Sequence, residues 1–174
     1  MLVGEKVYLR PIELKDVDDL NKWKNDETTF KFLGGGFNPV SIDQQSKWMG
    51  SMIDLTGNNK RYIICSIEDN NPLGMVGLYG ISWIHRNAEV GIYIGSKEYR
   101  GKGHATETYE LLERFAKNYL NLRKLKLNVV KNNNNAMRLW SKLGFLQVGE
   151  LIAERYINGK YYNLIIMEKF INNK

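Results

Sequence analysis

Glu89-Val-Gly-Ile-Tyr-Ile-Gly95, followed after four residues by Arg100-Gly-Lys-Gly-His-Ala-Thr106, is the stretch of this chain that decides its fold. The first segment is β-rich. The second opens a helix in which apolar residues recur at helical spacing. Glycines between a strand and a helix let backbone N–H groups approach a ligand, and the helix N-terminus adds unpaired donors. The stretch therefore predicts a phosphate site to which Arg100 and Lys102 add positive charge, the alternative being an ordinary glycine turn with solvated basic residues.

Two common phosphate-binding motifs do not fit this stretch. A P-loop would need one residue fewer between Gly95 and the pair Gly101-Lys102, and Gly103 stands where a Ser or Thr should bind magnesium. The dinucleotide pattern G-x-G-x-x-G would begin at Gly101 but meets Thr106 at its last glycine. Neither motif is assigned.

On both sides of this stretch, strand-like and helix-like segments alternate without a repeat or a linker. Ser41 is expected to cap a helix, Gly144 to end one, and Asn158-Gly159 to form a type I′ hairpin turn. The order predicts one domain over residues 1–174, of the α/β (α+β) class, with a single mixed, mostly antiparallel sheet flanked by helices. Strands are expected at 6–10, 61–67, 73–81, 88–94, 125–129, 145–156 and 161–170, and helices at 14–24, 41–55, 105–119 and 135–143.

Composition narrows the classes of protein. The 174 residues are 43% hydrophobic and 25% charged, which is typical of a globular chain, and the single cysteine excludes an intramolecular disulfide framework and a Cys-based zinc site. We expect no bound metal. We also expect a cytoplasmic location and no membrane association, because no leader or long apolar run is present. The net charge of +6 is uneven: residues 1–87 sum to −1 and residues 88–174 to +7. An anionic partner of the second half is therefore expected.

Two motifs give the chain a family resemblance. Arg100-x-x-Gly103-x-Ala105 after its strand resembles the pyrophosphate-binding motif of the GNAT acyl-CoA N-acyltransferases, and Asn133-x-x-Ala136 with Trp140-x-Lys142-x-Gly144-Phe145 is similar to the second motif of that family. The opening and the ending of the chain resemble the branch that includes ribosomal-protein N-terminal and diamine acetyltransferases. The resemblance implies a GNAT fold whose central strands splay apart.

The resemblance also implies a reaction, the transfer of an acetyl group from acetyl-CoA to a primary amine by direct attack in a ternary complex. The acceptor is expected to be a small-molecule amine, such as a polyamine or amino sugar, or a peptide N-terminus. Nucleic acid is not expected as a partner. Family members are often dimers, so a homodimer is one alternative, and the sequence does not decide the oligomeric state. The implied cofactor-binding residues are Ile92, Tyr93, Ile94, Arg100, Gly101, Lys102, Gly103, His104, Ala105, Thr106, Asn133, Ala136, Trp140 and Lys142.

Proton transfer is the part of the chemistry that the sequence leaves open. Glu89 begins the strand on which several family members place a glutamate base, so it is the catalytic candidate. Trp140 stands where many relatives carry the tyrosine that protonates the departing CoA, and indole cannot serve as that acid. The thiolate could leave unaided, or another hydroxyl could act. The substitutes considered are Tyr93, Ser141, Tyr161 and Tyr162.

The acceptor side carries no diagnostic motif. Glu27, beside Asp26 in an acidic loop, could attract a cationic amine, and Tyr79 could line the acceptor pocket. Two rival functions remain, a non-catalytic acyl-CoA sensor and a basic nucleic-acid-binding module. The second is weakened because the basic cluster Arg123-Lys124-x-Lys126 has no interleaved aromatic residues.

Overall fold

The computed structural model describes residues 1–172, and all its strands lie in one eight-stranded sheet of order β1-β2-β3-β4-β5-β6-β8-β7. Every neighbouring pair is antiparallel except β5 and β6, which are parallel. The mixed, mostly antiparallel sheet is therefore confirmed. The strands are β1 (Leu2–Val3), β2 (Val7–Pro11), β3 (Lys60–Ser66), β4 (Pro72–Ser82), β5 (Asn87–Ile94), β6 (Lys124–Val130), β7 (Leu146–Ile157) and β8 (Lys160–Phe170).

Five α-helices cover the two faces of the sheet. In β3, Tyr62 and Ile64 pack in the cluster formed with α4 and α5, whereas Ile63 and Cys65 pack in the cluster formed with α1 and α3. This division follows from the two-residue period of a strand. The helices are α1 (Val17–Lys24), α2 (Glu27–Phe30), α3 (Ile42–Ile53), α4 (His104–Asn118) and α5 (Asn134–Lys142), with short 3₁₀ turns at Leu14–Asp16 and Lys97–Tyr99.

The two parallel strands separate early. β5 and β6 pair only through Asn87, Ala88 and Glu89 on β5, so the last part of β5 has no strand on its β6 side. This geometry confirms the expected splay of the central strands. It leaves backbone groups of residues 90–94 facing a gap, and such groups must find another partner.

Local signals in the sequence predict most element ends correctly. The Ser41 hydroxyl accepts a hydrogen bond from the Gln44 amide and caps α3, and both residues of the Asn158-Gly159 turn have positive φ, as a type I′ turn requires. The short elements β1 and α2 were not predicted. The first helix begins as a 3₁₀ turn rather than as an α-helix. Within the described residues, no helix has the length and apolarity needed to cross a membrane.

Candidate functional site

A cavity of about 790 Å³ opens at the end of β5, where the central strands separate. Its walls come from α2 and the segment after it, from the glycine loop that begins α4, and from α5. The structure brings eleven of the predicted cofactor-binding residues to this cavity: Ile92, Tyr93, Ile94, Arg100, Gly101, Gly103, His104, Ala105, Thr106, Asn133 and Lys142.

The glycine loop has the backbone conformation that its sequence indicates. Gly101 and Gly103 have φ of +72° and +85°, values that favour glycine because a Cβ atom is strained there. A Cβ on Gly103 would also lie 3.2 Å from the Lys6 ammonium nitrogen. α4 starts at His104, so its first backbone N–H groups lie beside this cavity, as a phosphate site requires.

The charge of the cavity is positive. Lys31, Arg100, Arg138 and Lys142 line it, and none of the described lining residues is Asp or Glu. Such a lining matches the phosphates of a nucleotide cofactor and disfavours a polycation in the same space. The positive excess of the second half of the chain is therefore concentrated, in part, at this site.

Arg100 is engaged by protein groups in the structure. Its Nε donates to the Ile94 carbonyl oxygen at 2.9 Å, and its Nη2 donates to the Thr29 hydroxyl at 2.8 Å. Thr29 is buried on α2, 71 residues away in sequence. The side chain thus links β5 to α2, a contact that the glycine-loop motif does not indicate.

His104 lies at the first turn of α4 with its ring held by the backbone. Its Nδ1 is 2.9 Å from the Tyr99 carbonyl oxygen, and its ring meets the Tyr99 ring edge to face. The Tyr99 hydroxyl in turn donates to the Asp69 carboxylate. The His104 side chain therefore stabilises the glycine loop through its contacts with Tyr99.

Asn133 occupies the N-cap of α5. Its side-chain oxygen accepts a hydrogen bond from the Ala136 amide at 3.3 Å, and this begins the helix at the cavity wall. Ala136 itself turns towards the main core and does not line the cavity. The second motif thus contributes a capped helix end, with Asn133 at its start and Lys142 in its last turn, to the cavity.

Trp140 requires a correction. It is buried and meets the rings of Tyr109 and Phe145 edge to face, with centroid distances of 5.7 and 5.1 Å. The indole faces the core between α4 and α5 and does not line the cavity, so its expected contact with the cofactor is wrong for this structure. Lys102 also lies outside the lining, with an exposed side chain whose ammonium is 6.0 Å from the Tyr99 ring.

Tyr93 is the one proposed substitute acid that lines the cavity. Its ring packs edge to face against Phe30 at 5.1 Å and Trp23 at 6.0 Å. Burial raises the pKa of its hydroxyl, which therefore stays protonated at neutral pH. Ser141, Tyr161 and Tyr162 lie outside the described lining.

Glu89 and Tyr79 face each other across β4 and β5, outside the cavity lining. The Tyr79 ring covers two paired glycines, since a Cβ on Gly77 would lie 2.8 Å from it and a Cβ on Gly91 would lie 3.2 Å from it. Arg61 lies 5.4 Å from the centre of this ring. Because alternate residues of a strand share a face, Glu89 lies on the Tyr93 face, about 13 Å along β5 at 3.3 Å per residue.

The acidic loop of the first half is not part of the cavity. The Asp26 carboxylate caps α2, accepts hydrogen bonds from the hydroxyls of Thr28 and Thr29, and lies 3.4 Å from the Lys97 ammonium. Although burial favours the neutral form, these hydrogen bonds lower the pKa of Asp26 to about 2. Glu27 is exposed and also lies outside the lining, so the attraction of a cationic acceptor by these two acids stays a prediction.

Glu107 is a structural residue that sequence reasoning missed. Its carboxylate accepts hydrogen bonds of 2.7–2.8 Å from the amides of Glu5, Lys6 and Val7, tying the first turn of α4 to the start of β2. Although partial burial opposes ionisation, the three amides lower the pKa of Glu107. A Cβ on Gly4 would lie 2.7 Å from this carboxyl group, and no local sequence signal indicates a contact between residues so far apart in the chain.

Comparisons with known proteins all point to one family of enzymes. Residues 6–146 match the family model of the acetyltransferase (GNAT) domain. The spermidine N(1)-acetyltransferase of Escherichia coli (strain K12) is 34% identical over 165 residues, which cover 94% of this chain and 86% of that protein. A putative ribosomal N-acetyltransferase of Bacillus subtilis (strain 168) is 27% identical over 170 residues, covering 94% and 90%. The spermidine N-acetyltransferase of Vibrio cholerae, solved with CoA and spermine, superimposes with a TM-score of 0.85 at 27% identity and 96% coverage of both chains.

Proposed function

The chain belongs to the GNAT acetyltransferase family, and we propose from this premise that it transfers the acetyl group of acetyl-CoA to the primary amino group of a small molecule by direct attack in a ternary complex. The observation that carries the proposal is the position of the cavity. It combines a splayed strand end, a glycine loop at a helix N-terminus and a basic lining. These three features suit, respectively, an extended pantetheine arm, a pyrophosphate and further phosphate charge.

In this proposal the backbone amides of residues 101–106 hold the pyrophosphate, and Asn133 and Lys142 contact the cofactor from α5. The unpaired edge of β5 at residues 92–94 pairs with the pantetheine arm as an added strand does. Donors fixed along this edge polarise the thioester carbonyl without reorganisation during the reaction. The roles of Arg100 and His104 are to hold this frame, since their side chains bind protein groups. Among residues 1–172, no group of three or more His, Cys, Asp or Glu side chains is placed to hold a metal ion.

Two residues on the same face of β5 divide the proton chemistry. Glu89, which lies outside the cavity lining, receives the proton of the attacking amine through water. The Tyr93 hydroxyl, protonated at neutral pH, donates towards the departing sulfur. Tyr93 thus takes the part that Trp140 cannot perform.

The acceptor is a small-molecule amine, and a peptide N-terminus is the alternative. Spermidine is the first compound to test because the E. coli relative is a spermidine N(1)-acetyltransferase. The decisive experiment measures free-thiol release from acetyl-CoA, in the presence of spermidine, an amino sugar, an aminoglycoside and an N-terminal peptide in turn. Thiol release that depends on one amine supports the proposal. Binding of acetyl-CoA without turnover would support the sensor function, and RNA binding with a steep salt dependence would support the nucleic-acid module.

We also propose that the protein acts in the cytoplasm as a homo-oligomer. β7 is an edge strand of the sheet, and it exposes Leu146, Val148, Ile152 and Tyr156. An edge with exposed apolar side chains favours pairing with another chain, and a spermidine N-acetyltransferase of Vibrio cholerae is dodecameric. Light scattering after size exclusion tests this: Val148→Lys should lower the mass to that of a smaller assembly, and a wild-type monomer would contradict it.

A further inference from the structure

The Arg100 guanidinium joins two parts of the cavity wall. One nitrogen donates to the Ile94 carbonyl at the end of β5, and another donates to the Thr29 hydroxyl on α2. Both acceptors are residues of the cavity lining. The planar guanidinium can make these two bonds at once in a fixed geometry, whereas an ammonium group on a lysine has no such fork.

The chain of contacts continues from Thr29 into α2. The Thr29 hydroxyl accepts from Arg100 and donates to the Asp26 carboxylate at 2.7 Å. Asp26 also accepts from the Thr28 amide, which caps α2, and lies near the Lys97 ammonium. Thr29 is 8% exposed, so its hydroxyl has little water to replace a lost partner.

The residue after Thr29 shows what this chain of contacts holds in place. Phe30 packs edge to face against Tyr93, and Tyr93 is one of the residues that line the cavity. α2 has only four residues, too few to be stable without tertiary contacts. The position of the Phe30–Tyr93 pair thus depends on contacts such as the bond from Arg100 to Thr29.

We propose that Arg100 is a positioning residue that fixes α2 against the end of β5, rather than a direct ligand of the cofactor phosphates. This inference rests on the proposed function in one respect, namely that Tyr93 and the α2 wall face the acceptor. Loss of the contact leaves the glycine loop intact and misplaces the wall that the amine approaches. The amine-dependent step is therefore affected more than acetyl-CoA binding.

The test compares five variants of the full chain. Arg100→Gln and Thr29→Val each remove one partner of the contact. The double variant removes both partners, and Thr29→Ser keeps the hydroxyl. Thr56→Val is the control, because it removes another threonine hydroxyl that donates to an aspartate, Asp54, at an exposed position away from the cavity. Three quantities are measured for each variant: the Kd of acetyl-CoA by calorimetry, kcat and KM for the amine, and hydrogen exchange of the Phe30 and Lys31 amides, which are bonded within α2.

Arg100→Gln and Thr29→Val should each lower kcat/KM for the amine by about tenfold, with the Kd of acetyl-CoA changed by less than about threefold. The double variant should be no worse than Arg100→Gln, and Thr29→Ser and Thr56→Val should behave as wild type. If Arg100→Gln weakens acetyl-CoA binding by more than about tenfold while Thr29→Val does not, Arg100 is a phosphate ligand and the proposal is wrong.

The hydrogen-exchange measurement separates this proposal from the proposed function. If wild type acetylates none of the amines, the proposed function fails, yet faster exchange of the Phe30 and Lys31 amides in both contact-removing variants would still support the positioning contact. Exchange in Arg100→Gln and Thr29→Val equal to that in Thr56→Val would overturn it.

Discussion

The proposed cofactor side and the proposed acceptor side of the cavity are built in different ways. The cofactor side consists of backbone: two glycines at positive φ, a helix N-terminus and an unpaired strand edge. The acceptor side consists of side-chain contacts, with Phe30 and Trp23 around Tyr93. Backbone sites leave a trace in the order of glycines and strands, whereas side-chain walls depend on contacts between distant segments. This difference explains why the first side has a motif and the second has none.

Charge shows the same contrast. The positive second half supplies Arg100, Arg138 and Lys142 to the cavity, as its net charge of +7 indicates. The acidic first half supplies no Asp or Glu to the described lining, and two of its carboxylates are bound by protein groups. Asp16 accepts two hydrogen bonds from Arg10, at 2.6 and 2.8 Å, and Asp26 caps α2. Net charge over half a chain therefore does not by itself locate a site, because charged side chains of either sign can be bound by protein groups.

Glu89→Gln tests whether the acceptor face of β5 carries the base, and it has the largest expected effect. The variant should lower kcat by about 100-fold at neutral pH, and the loss should shrink as rising pH deprotonates the amine itself. Steady-state kinetics with the best amine measure it, with the exposed Glu68→Gln as control. A loss below about threefold would remove Glu89 from the mechanism.

Tyr93→Phe tests whether the acceptor wall also supplies the acid. The variant should lower kcat by about tenfold at pH 7, a smaller effect because a thiol with a pKa near 8.5 is already a fair leaving group. The defect should fade above about pH 8.5, where the thiolate needs no proton. Tyr161→Phe, at an exposed hairpin position, is the control. A pH-independent defect would assign Tyr93 to packing alone.

Gly103→Ala tests the backbone side. Forcing a side chain into φ of +85° and within 3.2 Å of the Lys6 ammonium should cost about 1–3 kcal/mol and weaken acetyl-CoA binding by about tenfold. Gly57→Ala is the matched control, since Gly57 has an ordinary φ and a Cβ added there would meet nothing within 4 Å. Calorimetry with acetyl-CoA measures both. Equal affinities in the two variants would show that the loop is an ordinary turn.

Asn133→Ala separates helix stability from cofactor contact. Removing an N-cap costs about 1 kcal/mol, and Ser41→Ala removes a similar cap from α3, away from the cavity. Both variants should lose similar stability in urea unfolding, but only Asn133→Ala should weaken acetyl-CoA binding, by about three- to fivefold. If both variants bind acetyl-CoA as wild type does, Asn133 serves only as a cap.

The contrast between the two sides also shows which structural features can be predicted from the sequence. The Ser41 cap, the Asn158-Gly159 turn and the splay beside Glu89 follow from local rules or from the family motifs. The contact of Arg100 with Thr29 and the three amides on Glu107 join residues 71 to 102 positions apart, and no local pattern encodes such pairs. For Trp140, the motif gives the position but not the direction of the side chain, which the Tyr109 and Phe145 rings determine.

Asp26 gives the smallest expected effect and tests whether the acceptor loop is held by charge. Its folded-state pKa of about 2 lies below the ordinary 3.8, so the folded protein favours the carboxylate. The resulting stability is complete above about pH 4 and is lost as pH falls towards 2. Urea unfolding of wild type and Asp26→Asn should therefore differ most above pH 4 and converge near pH 2. The difference should stay below about 1 kcal/mol, because the carboxylate is partly solvated and water screens its partners. A stability difference that does not change with pH would mean that Asp26→Asn destabilises the protein only through altered hydrogen bonds. The charge of Asp26 would then not hold α2.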